Sequence, residues 1–283
     1  MPDAGPTAVL PRRPLTVGEL LDSAVLLLRG HARVLIPAAL VLATAEQFLL
    51  HPLRVAAGAR PPGFAFHLGQ LAPYWGLLAV GAATEAAIVL LLGNPAARAA
   101  GAALLGRTAG PGELVRPAGA RPGATALLAA GVGAVMLVAA LLGPGWVVAW
   151  ALLGSVASAL VVDRVAAARA PLRAAALALR AGCRAAAIRL LGYLAWWIVR
   201  VGLGVGVFYG LRALGLVDLT DPAWAVPVSG AIWAGVNGVA YPALACLDAV
   251  LHLEGRMRTE GLDIRLSRAP AGLGEPALLA ADR

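Results

Sequence analysis

The 283-residue sequence contains no lysine, so all 23 of its basic residues are arginine. Charged residues make up only 13% of the chain, about half the share found in a typical soluble domain. Hydrophobic residues make up 60%, and the mean hydropathy is +0.80. This composition excludes an ordinary soluble protein and predicts that most of the chain lies within a membrane.

Cysteine and catalytic motifs are also scarce. Cys183 and Cys246 both map near the same predicted inner side, which favours reduced thiols over a disulfide. The sequence has no H-E-x-x-H, no zinc-type cysteine pairs, no G-x-S-x-G and no Walker A motif. No catalytic, cofactor-binding or metal-binding residue is therefore predicted. Arginine without interleaved aromatic residues argues against nucleic-acid binding.

The apolar residues predict an all-α, polytopic membrane bundle with about six transmembrane helices. The six predicted spans are residues 31–50, 71–92, 124–142, 146–162, 190–211 and 225–247. Amphipathic helices near 16–29 and 171–189 are predicted to lie in the membrane surface, the first opening on a capping box at Thr16 and Glu19 and ending at Gly30. The membrane domain then covers residues 15–266, between disordered tails at 1–14 and 267–283.

Orientation follows from the distribution of arginine. Nineteen arginines fall in the two tails and the predicted inner loops, and three fall in the predicted outer loops. Positively charged loops stay in the cytoplasm. The sequence therefore predicts a multi-pass protein of the bacterial inner (plasma) membrane, with its N- and C-termini cytoplasmic.

The segment 163–189 carries six arginines between two apolar runs. Arg173, Arg180 and Arg184 repeat at helical spacing and are predicted to share one face. They could anchor the inner side of the protein, or they could bind anionic lipid headgroups or an acidic partner, because arginine bonds phosphate with two parallel hydrogen bonds.

Four polar residues fall within the predicted spans: Glu46, Glu85, Arg200 and Asn237. A charge at the centre of a bilayer is costly, so such residues face the protein interior or water. Glu85 and Arg200 lie at similar predicted depth, which predicts an ion pair between them. These residues are interpreted either as structural or as part of a path for a solute or proton.

Small residues recur four apart in the last two spans, at Gly202, Gly206 and Gly210 and at Gly230, Ala234 and Gly238. Glycine at this spacing lets helix backbones approach closely. The glycines predict packing between these two spans or, as the alternative, a homodimer face.

Three segments resemble a known family: residues 14–36, the arginine segment from 161 to 194, and residues 247–266. The last contains R-x-E-G-x-D at Arg258, Glu260, Gly261 and Asp263, near Asp248 and Arg256. A helix that leaves the sixth span is predicted to stop at Gly261 in a left-handed cap, and Asp248 is predicted to accept hydrogen bonds at the membrane edge. The chain resembles uncharacterised bacterial proteins similar to the membrane domain of glycerophosphoryl diester phosphodiesterases. The resemblance implies six spans and a cytoplasmic C-terminus, and no enzymatic activity, because it does not include the catalytic domain.

The sequence thus favours a non-enzymatic integral membrane protein, an accessory or scaffold component of a membrane or envelope assembly. Membrane lipids and another membrane protein are its expected partners. A transporter or channel for a small or lipid-like solute is the alternative, and an intramembrane enzyme is a third class.

Overall fold

The computed structural model describes residues 10–64, 68–180, 182–216, 221–270 and 274–281. Within these ranges the regular elements are helices and no β-strand occurs, which confirms the predicted all-α fold. In chain order the helices are α1 (Val17–Ala56), α2 (Leu71–Leu104), α3 (Pro111–Val115), α4 (Pro122–Leu141), α5 (Gly145–Leu153), α6 (Val156–Val161), α7 (Ala170–Leu179), α8 (Arg184–Ala213), α9 (Pro222–Glu260), α10 (Leu262–Arg268) and α11 (Glu275–Leu279).

Five of these helices, α1, α2, α4, α8 and α9, are long and apolar enough to cross a membrane, as in an integral membrane protein. Helix α9 is the centre of the bundle and packs against α1, α2 and α8, while α4 packs against α2. In the apolar stretch of α9, 83% of the residues are buried, against 17% in that of α8. Helix α8 therefore lies at the periphery and presents most of its apolar surface outward.

Helix α1 combines the predicted surface helix and the first span. Its capping box is confirmed, because Thr16 and Glu19 each bond the other's backbone N–H. The predicted end at Gly30 lies one residue before a break in the helix: His31 has non-helical dihedral angles (φ −121°, ψ 15°), and the surface helix and the first span meet at this kink without a loop. At this kink the His31 ring nitrogen Nδ1 lies 3.0 Å from Leu27 O, one turn earlier in the chain.

The fourth predicted span is broken into α5 and α6 by Gly154 and Ser155. Residues 145–161 would extend only about 25 Å at about 1.5 Å per residue, and a bilayer's hydrocarbon core is about 30 Å thick. Within the described ranges the chain thus forms five long apolar helices and one short, interrupted apolar helix, where about six spans were predicted.

The predicted helix 171–189 is also interrupted. Helix α7 opens as expected with Pro171 in its first turn, but it ends at Leu179, and α8 begins at Arg184. Gly182 and Cys183 have φ values of +69° and +61°. A right-handed helix cannot pass through two left-handed residues, so the arginine segment folds as two helices.

The described parts of the two tails, for which disorder was predicted, pack against the bundle. Leu10 and Leu279 are both buried, and Arg12 Nε donates to Leu104 O at 3.0 Å. Residues 1–9, 271–273 and 282–283 lie outside the described ranges. Arg258 Nη2 donates to Leu15 O at 2.7 Å, so the start of α1 and the last turn of α9 meet at one end of the bundle.

Candidate functional site

Seven polar side chains meet midway along the bundle and form what we call the mid-helix polar cluster. They come from four helices that bury their apolar faces against one another, which leaves these side chains directed at each other. The cluster consists of Glu46 on α1, Thr84 and Glu85 on α2, Tyr193 and Arg200 on α8, and Asn237 and Tyr241 on α9.

The ion pair predicted from depth is present: Arg200 Nη1 lies 2.7 Å from Glu85 Oε1, and both side chains are buried. Tyr193 Oη donates to Glu85 Oε2 at 3.4 Å. The Arg200 guanidinium also faces the rings of Tyr193 and Tyr241, at 5.5 and 5.7 Å from their centroids. Aromatic faces attract a cation when water is absent, so they help to hold this guanidinium inside the bundle.

Glu46 lies on the other side of Tyr241 and contacts hydroxyl groups rather than a cation. Tyr241 Oη lies 2.7 Å from Glu46 Oε2, and Thr84 Oγ1 lies 2.7 Å from Glu46 Oε1. Asn237 Nδ2 donates to Tyr241 Oη at 2.9 Å. Thr84, Tyr193 and Tyr241 were not singled out in the sequence, because a single hydroxyl within an apolar run carries no charge signal.

The cluster leaves some polar atoms unused. Arg200 Nε, Asn237 Oδ1 and Glu85 Oε1 are buried and have no hydrogen-bond partner, although Glu85 Oε1 is in ionic contact with Arg200 Nη1. A buried polar atom without a partner costs roughly 1–3 kcal/mol. Among the residues described, these atoms are the part of the cluster with unused capacity to bond an added polar group.

A second buried pair explains why the fourth predicted span is broken. Arg189 Nε lies 2.5 Å from Asp248 Oδ1, while Nη1 donates to Ala151 O at 2.5 Å and Nη2 to Ser155 Oγ at 2.6 Å. The Ala151 carbonyl would bond the backbone of Ser155 in a continuous helix; here the guanidinium takes that carbonyl. Sequence reasoning missed this pair, since both residues fall at the predicted ends of spans.

Gly154 makes room for this pair. A Cβ atom at Gly154 would clash with the Arg189 guanidinium and would lie 2.6 Å from Asp248 Oδ1. Gly154 and Asp248 also border a cavity of about 20 Å³, lined otherwise by apolar side chains of α2, α4 and α5. Such a volume holds about one water molecule.

A third group of charges, the end network, lies where α6, α7 and α9 meet. Its centre is Asp163, whose side chain has no exposed surface. Asp163 lies 2.7 Å from Arg173 Nε, 2.8 Å from Arg256 Nη1 and 2.9 Å from His252 Nε2. Burial raises the pKa of Asp163, but His252, Arg256 and Arg173 together outweigh burial and hold that pKa well below its usual value.

The end network also contains the carboxylate of Glu260 and ties down the C-terminal segment. Glu260 lies 2.5 Å from Arg173 Nη1, 2.9 Å from Arg180 Nη1 and 3.1 Å from Arg256 Nε. Arg256 Nη1 in addition donates to Leu279 O at 2.5 Å. Helix α11 is thus held against α9 by a buried guanidinium.

The residues of R-x-E-G-x-D have identifiable structural positions. Arg258 bonds Glu254 one turn earlier on α9, and Gly261 ends the helix in the left-handed conformation that was predicted for it (φ +61°). Asp263 lies in the first turn of α10, where its Oδ1 is buried and has no hydrogen-bond partner. Asp248 bonds Arg189 rather than groups at a membrane edge.

The three arginines predicted to share a face do not do so. Arg173 and Arg180 both point at Glu260, whereas Arg184 Nη2 donates to Leu15 O at 3.0 Å and its Nε lies 3.8 Å from Glu254. Arg180 keeps 48% of its side chain exposed, against 17% for Arg173. Headgroup binding stays a prediction, and Arg180 is the residue best placed for it.

The glycine prediction needs correction. A Cβ atom at Gly202, Gly206, Gly210 or Gly230 would meet nothing within 4 Å, and Gly238 packs against Leu40 of α1. The contact between α8 and α9 instead uses Gly204, where a Cβ atom would lie 3.0 Å from the Trp233 ring, and Gly192, where a Cβ atom would clash with Leu247. The four-residue repeat of glycine therefore marks the wrong face of α8, since Gly204 lies between Gly202 and Gly206 in the chain.

Within the described ranges, no group of three or more His, Cys, Asp or Glu side chains could hold a metal ion. No protein-family model, curated protein or solved structure matches the chain. The candidate site therefore rests on geometry, and its strongest feature is the mid-helix polar cluster.

Proposed function

We propose that this chain is a non-enzymatic integral membrane protein that serves as an accessory or scaffold component of a membrane or envelope assembly. The observation that supports this function is that its buried charged groups bond one another: Arg200 with Glu85, Arg189 with Asp248, and Asp163 with Arg256. Groups bonded in this way stiffen a bundle. A solute path would instead present them to a water-filled space, and the cavity beside Asp248 has a volume of only about 20 Å³, close to that of one water molecule.

The outward face of α8 is the surface through which this scaffold would bind another membrane protein. Apolar side chains along it are exposed, namely Leu191, Leu194, Trp197, Ile198, Leu203 and Val207. Helix α8 also carries Gly202, Gly206 and Gly210, where an added Cβ atom would meet nothing within 4 Å. Small residues next to large apolar ones allow a second helix to approach closely within a bilayer.

Site-specific photo-crosslinking in native membranes tests this function. A photo-reactive residue at Trp197 should join the chain to another membrane protein, whereas the same group at Leu127, exposed on α4, should react with lipid alone. Crosslinks to lipid alone at both positions would contradict the scaffold function. A band at twice the mass of the chain would identify the partner as a second copy.

Transport of a small or lipid-like solute is the second candidate function. The unpartnered Arg200 Nε and Asn237 Oδ1 support it, because a polar solute or a proton carrier could bond them. Liposomes containing the purified chain should show no solute or proton flux above empty liposomes if the protein is a scaffold. Flux that is abolished by Arg200→Gln would establish transport in its place.

The proposed location is the bacterial plasma membrane, with both ends of the chain in the cytoplasm. The excess of arginine at the end of the bundle that holds Leu15, Arg184 and Arg258 supports this orientation. In a chain with Cys183→Ser and Cys246→Ala, Arg60→Cys should react with an impermeant thiol reagent outside the cell and Arg116→Cys should not. Both substituted positions are exposed, and labelling of position 116 alone would reverse the orientation.

The relation to the membrane domain of glycerophosphoryl diester phosphodiesterases is likewise a proposal. It is supported by residues 247–266, whose arginine and carboxylate side chains organise one end of the bundle. A relative would be expected to keep Asp163 together with Arg256, since each is buried and depends on the other.

A further inference from the structure

The distances around Glu46 indicate which groups share hydrogen atoms with its carboxyl group. Thr84 has a single O–H hydrogen, yet its Oγ1 lies 2.9 Å from Gly81 O and 2.7 Å from Glu46 Oε1. Both partners are acceptors if Glu46 is ionised, and one hydroxyl hydrogen cannot serve both of them. A hydrogen on Glu46 Oε1 makes both short contacts hydrogen bonds, with Thr84 donating to Gly81 O as threonine within a helix commonly does.

The other carboxyl oxygen of Glu46 is an acceptor. Asn237 Nδ2 donates to Tyr241 Oη at 2.9 Å, so the tyrosine directs its own hydrogen at Glu46 Oε2, 2.7 Å away. A neutral Glu46 completes a chain in which each hydrogen is used once. It runs from Asn237 through Tyr241 and Glu46 to Thr84 and Gly81 O.

The charges around Glu46 favour the same protonation state. The charged and titratable groups that face it are Glu85 from α2, Arg200 and Tyr193 from α8, Tyr241 from α9, and Arg54 farther along α1. Arg200 is paired with Glu85 at 2.7 Å. Arg54 bonds Gln47 at 2.9 Å and lies 3.9 Å from the centre of the Phe64 ring. No cation contacts the Glu46 carboxyl among the described residues.

We propose that Glu46 is a proton-binding site within the membrane, holding one proton between α1 and α2 at neutral pH. The residue is 4% exposed, and a buried carboxyl group without a cation becomes neutral rather than remaining ionised. Loss of this proton leaves the single Thr84 hydrogen to serve two acceptors, Glu46 Oε1 and Gly81 O, and adds a second negative charge beside Glu85. The contact between α1 and α2 is thus sensitive to pH, whether the chain is a scaffold or a transporter.

Infrared spectroscopy of the full chain in lipid bilayers tests the protonation directly. A carboxylic-acid carbonyl band should be present at neutral pH, should shift when all glutamates carry ¹³C at the side-chain carboxyl, and should disappear in Glu46→Gln. If the wild type minus Glu46→Gln difference shows carboxylate bands instead, Glu46 is ionised and the proposal fails. The isotope shift in the wild-type chain makes the measurement independent of how the variant folds.

Thermal unfolding gives a second, independent readout. The amide of Glu46→Gln can donate to Thr84 and accept from Tyr241 as a neutral acid does, so the variant should unfold at the wild-type temperature near pH 7. At alkaline pH the wild type should become less stable while Glu46→Gln does not, because the amide has no proton to lose. A loss in Glu46→Gln as large as that in Glu85→Gln, or a failure of Glu46→Gln to fold, would overturn the proposal.

Discussion

The mid-helix polar cluster and the end network both contain buried carboxyl groups, but different side chains surround these groups in the two regions. In the end network, Asp163 and Glu260 each contact three basic side chains. In the mid-helix polar cluster, Glu85 has one arginine, and Glu46 has only hydroxyl and amide partners. Each further guanidinium at membrane depth costs about 2.5–3.5 kcal/mol on insertion scales. This insertion cost falls toward the ends of the helices, where the bilayer is no longer apolar. A carboxylate there can therefore be surrounded by several basic side chains.

The largest effect is expected at the centre of the end network. Asp163→Asn removes the counter-charge of buried Arg256 and Arg173, so it should destabilise the protein by about 3–5 kcal/mol, the cost of breaking a buried pair. Thermal unfolding in mild detergent measures the loss. Glu113→Gln is the control, because its pair with Arg107 leaves both side chains 41% exposed, and such pairs contribute about 0–1 kcal/mol. Equal losses would contradict the central role of Asp163.

Acid pH should reduce the contribution of the end network to the stability of the fold. The pKa of Asp163 is held well below its usual value in the folded protein, so its contribution to stability is fully present above the unfolded-state pKa of about 3.9. That contribution is lost as the pH falls from there toward the folded-state pKa. The unfolding temperature of the wild type should decline over this acid range, and that of Asp163→Asn should decline less. Parallel curves would exclude Asp163 as the titrating group.

The next effect tests the ion pair in the mid-helix polar cluster. Glu85→Gln and Arg200→Gln should each lower the unfolding temperature, because each leaves a buried charge without its partner. The double variant should recover part of the loss, with a coupling of roughly 0.5–3 kcal/mol for residues in contact. Strictly additive losses would show that the two side chains do not interact.

A smaller loss is expected from Gly154→Ala. The added methyl group would push Arg189 away from Asp248, and overpacking of this kind typically costs about 1–3 kcal/mol. Gly202→Ala is the matched control, since a Cβ atom there meets nothing within 4 Å. A Gly154→Ala variant as stable as the control would mean that α5 and α6 can move apart without cost.

The smallest effects distinguish the two faces of α8. Gly206→Ala fills open space and should stabilise the helix by about 0.5–1 kcal/mol. Gly204→Ala has the same helical gain but must displace the Trp233 ring by a few tenths of an ångström, so it should be less stable than Gly206→Ala. Unfolding temperatures measured side by side give the order. If Gly204→Ala unfolded at the higher temperature, the contact with α9 would lie instead on the face of Gly202, Gly206 and Gly210.

Several of these features could be predicted from the sequence because they depend on local pattern or on depth. The capping box at Thr16 and Glu19 and the helix end at Gly261 are local signals. The pair between Glu85 and Arg200 followed from counting residues into two spans, since a lone charge there must find a partner. Neither prediction required knowledge of which helices are neighbours.

The sequence by itself determined an all-helical chain with membrane-length apolar helices, because periodicity and length are properties of consecutive residues. Only the tertiary structure decided that Arg189 would break a helix to reach Ala151 O, and that Tyr241 and Thr84 would enclose Glu46. These contacts join residues from different helices. They depend on the rotation and height of each helix in the bundle, which packing sets and no single stretch of sequence encodes.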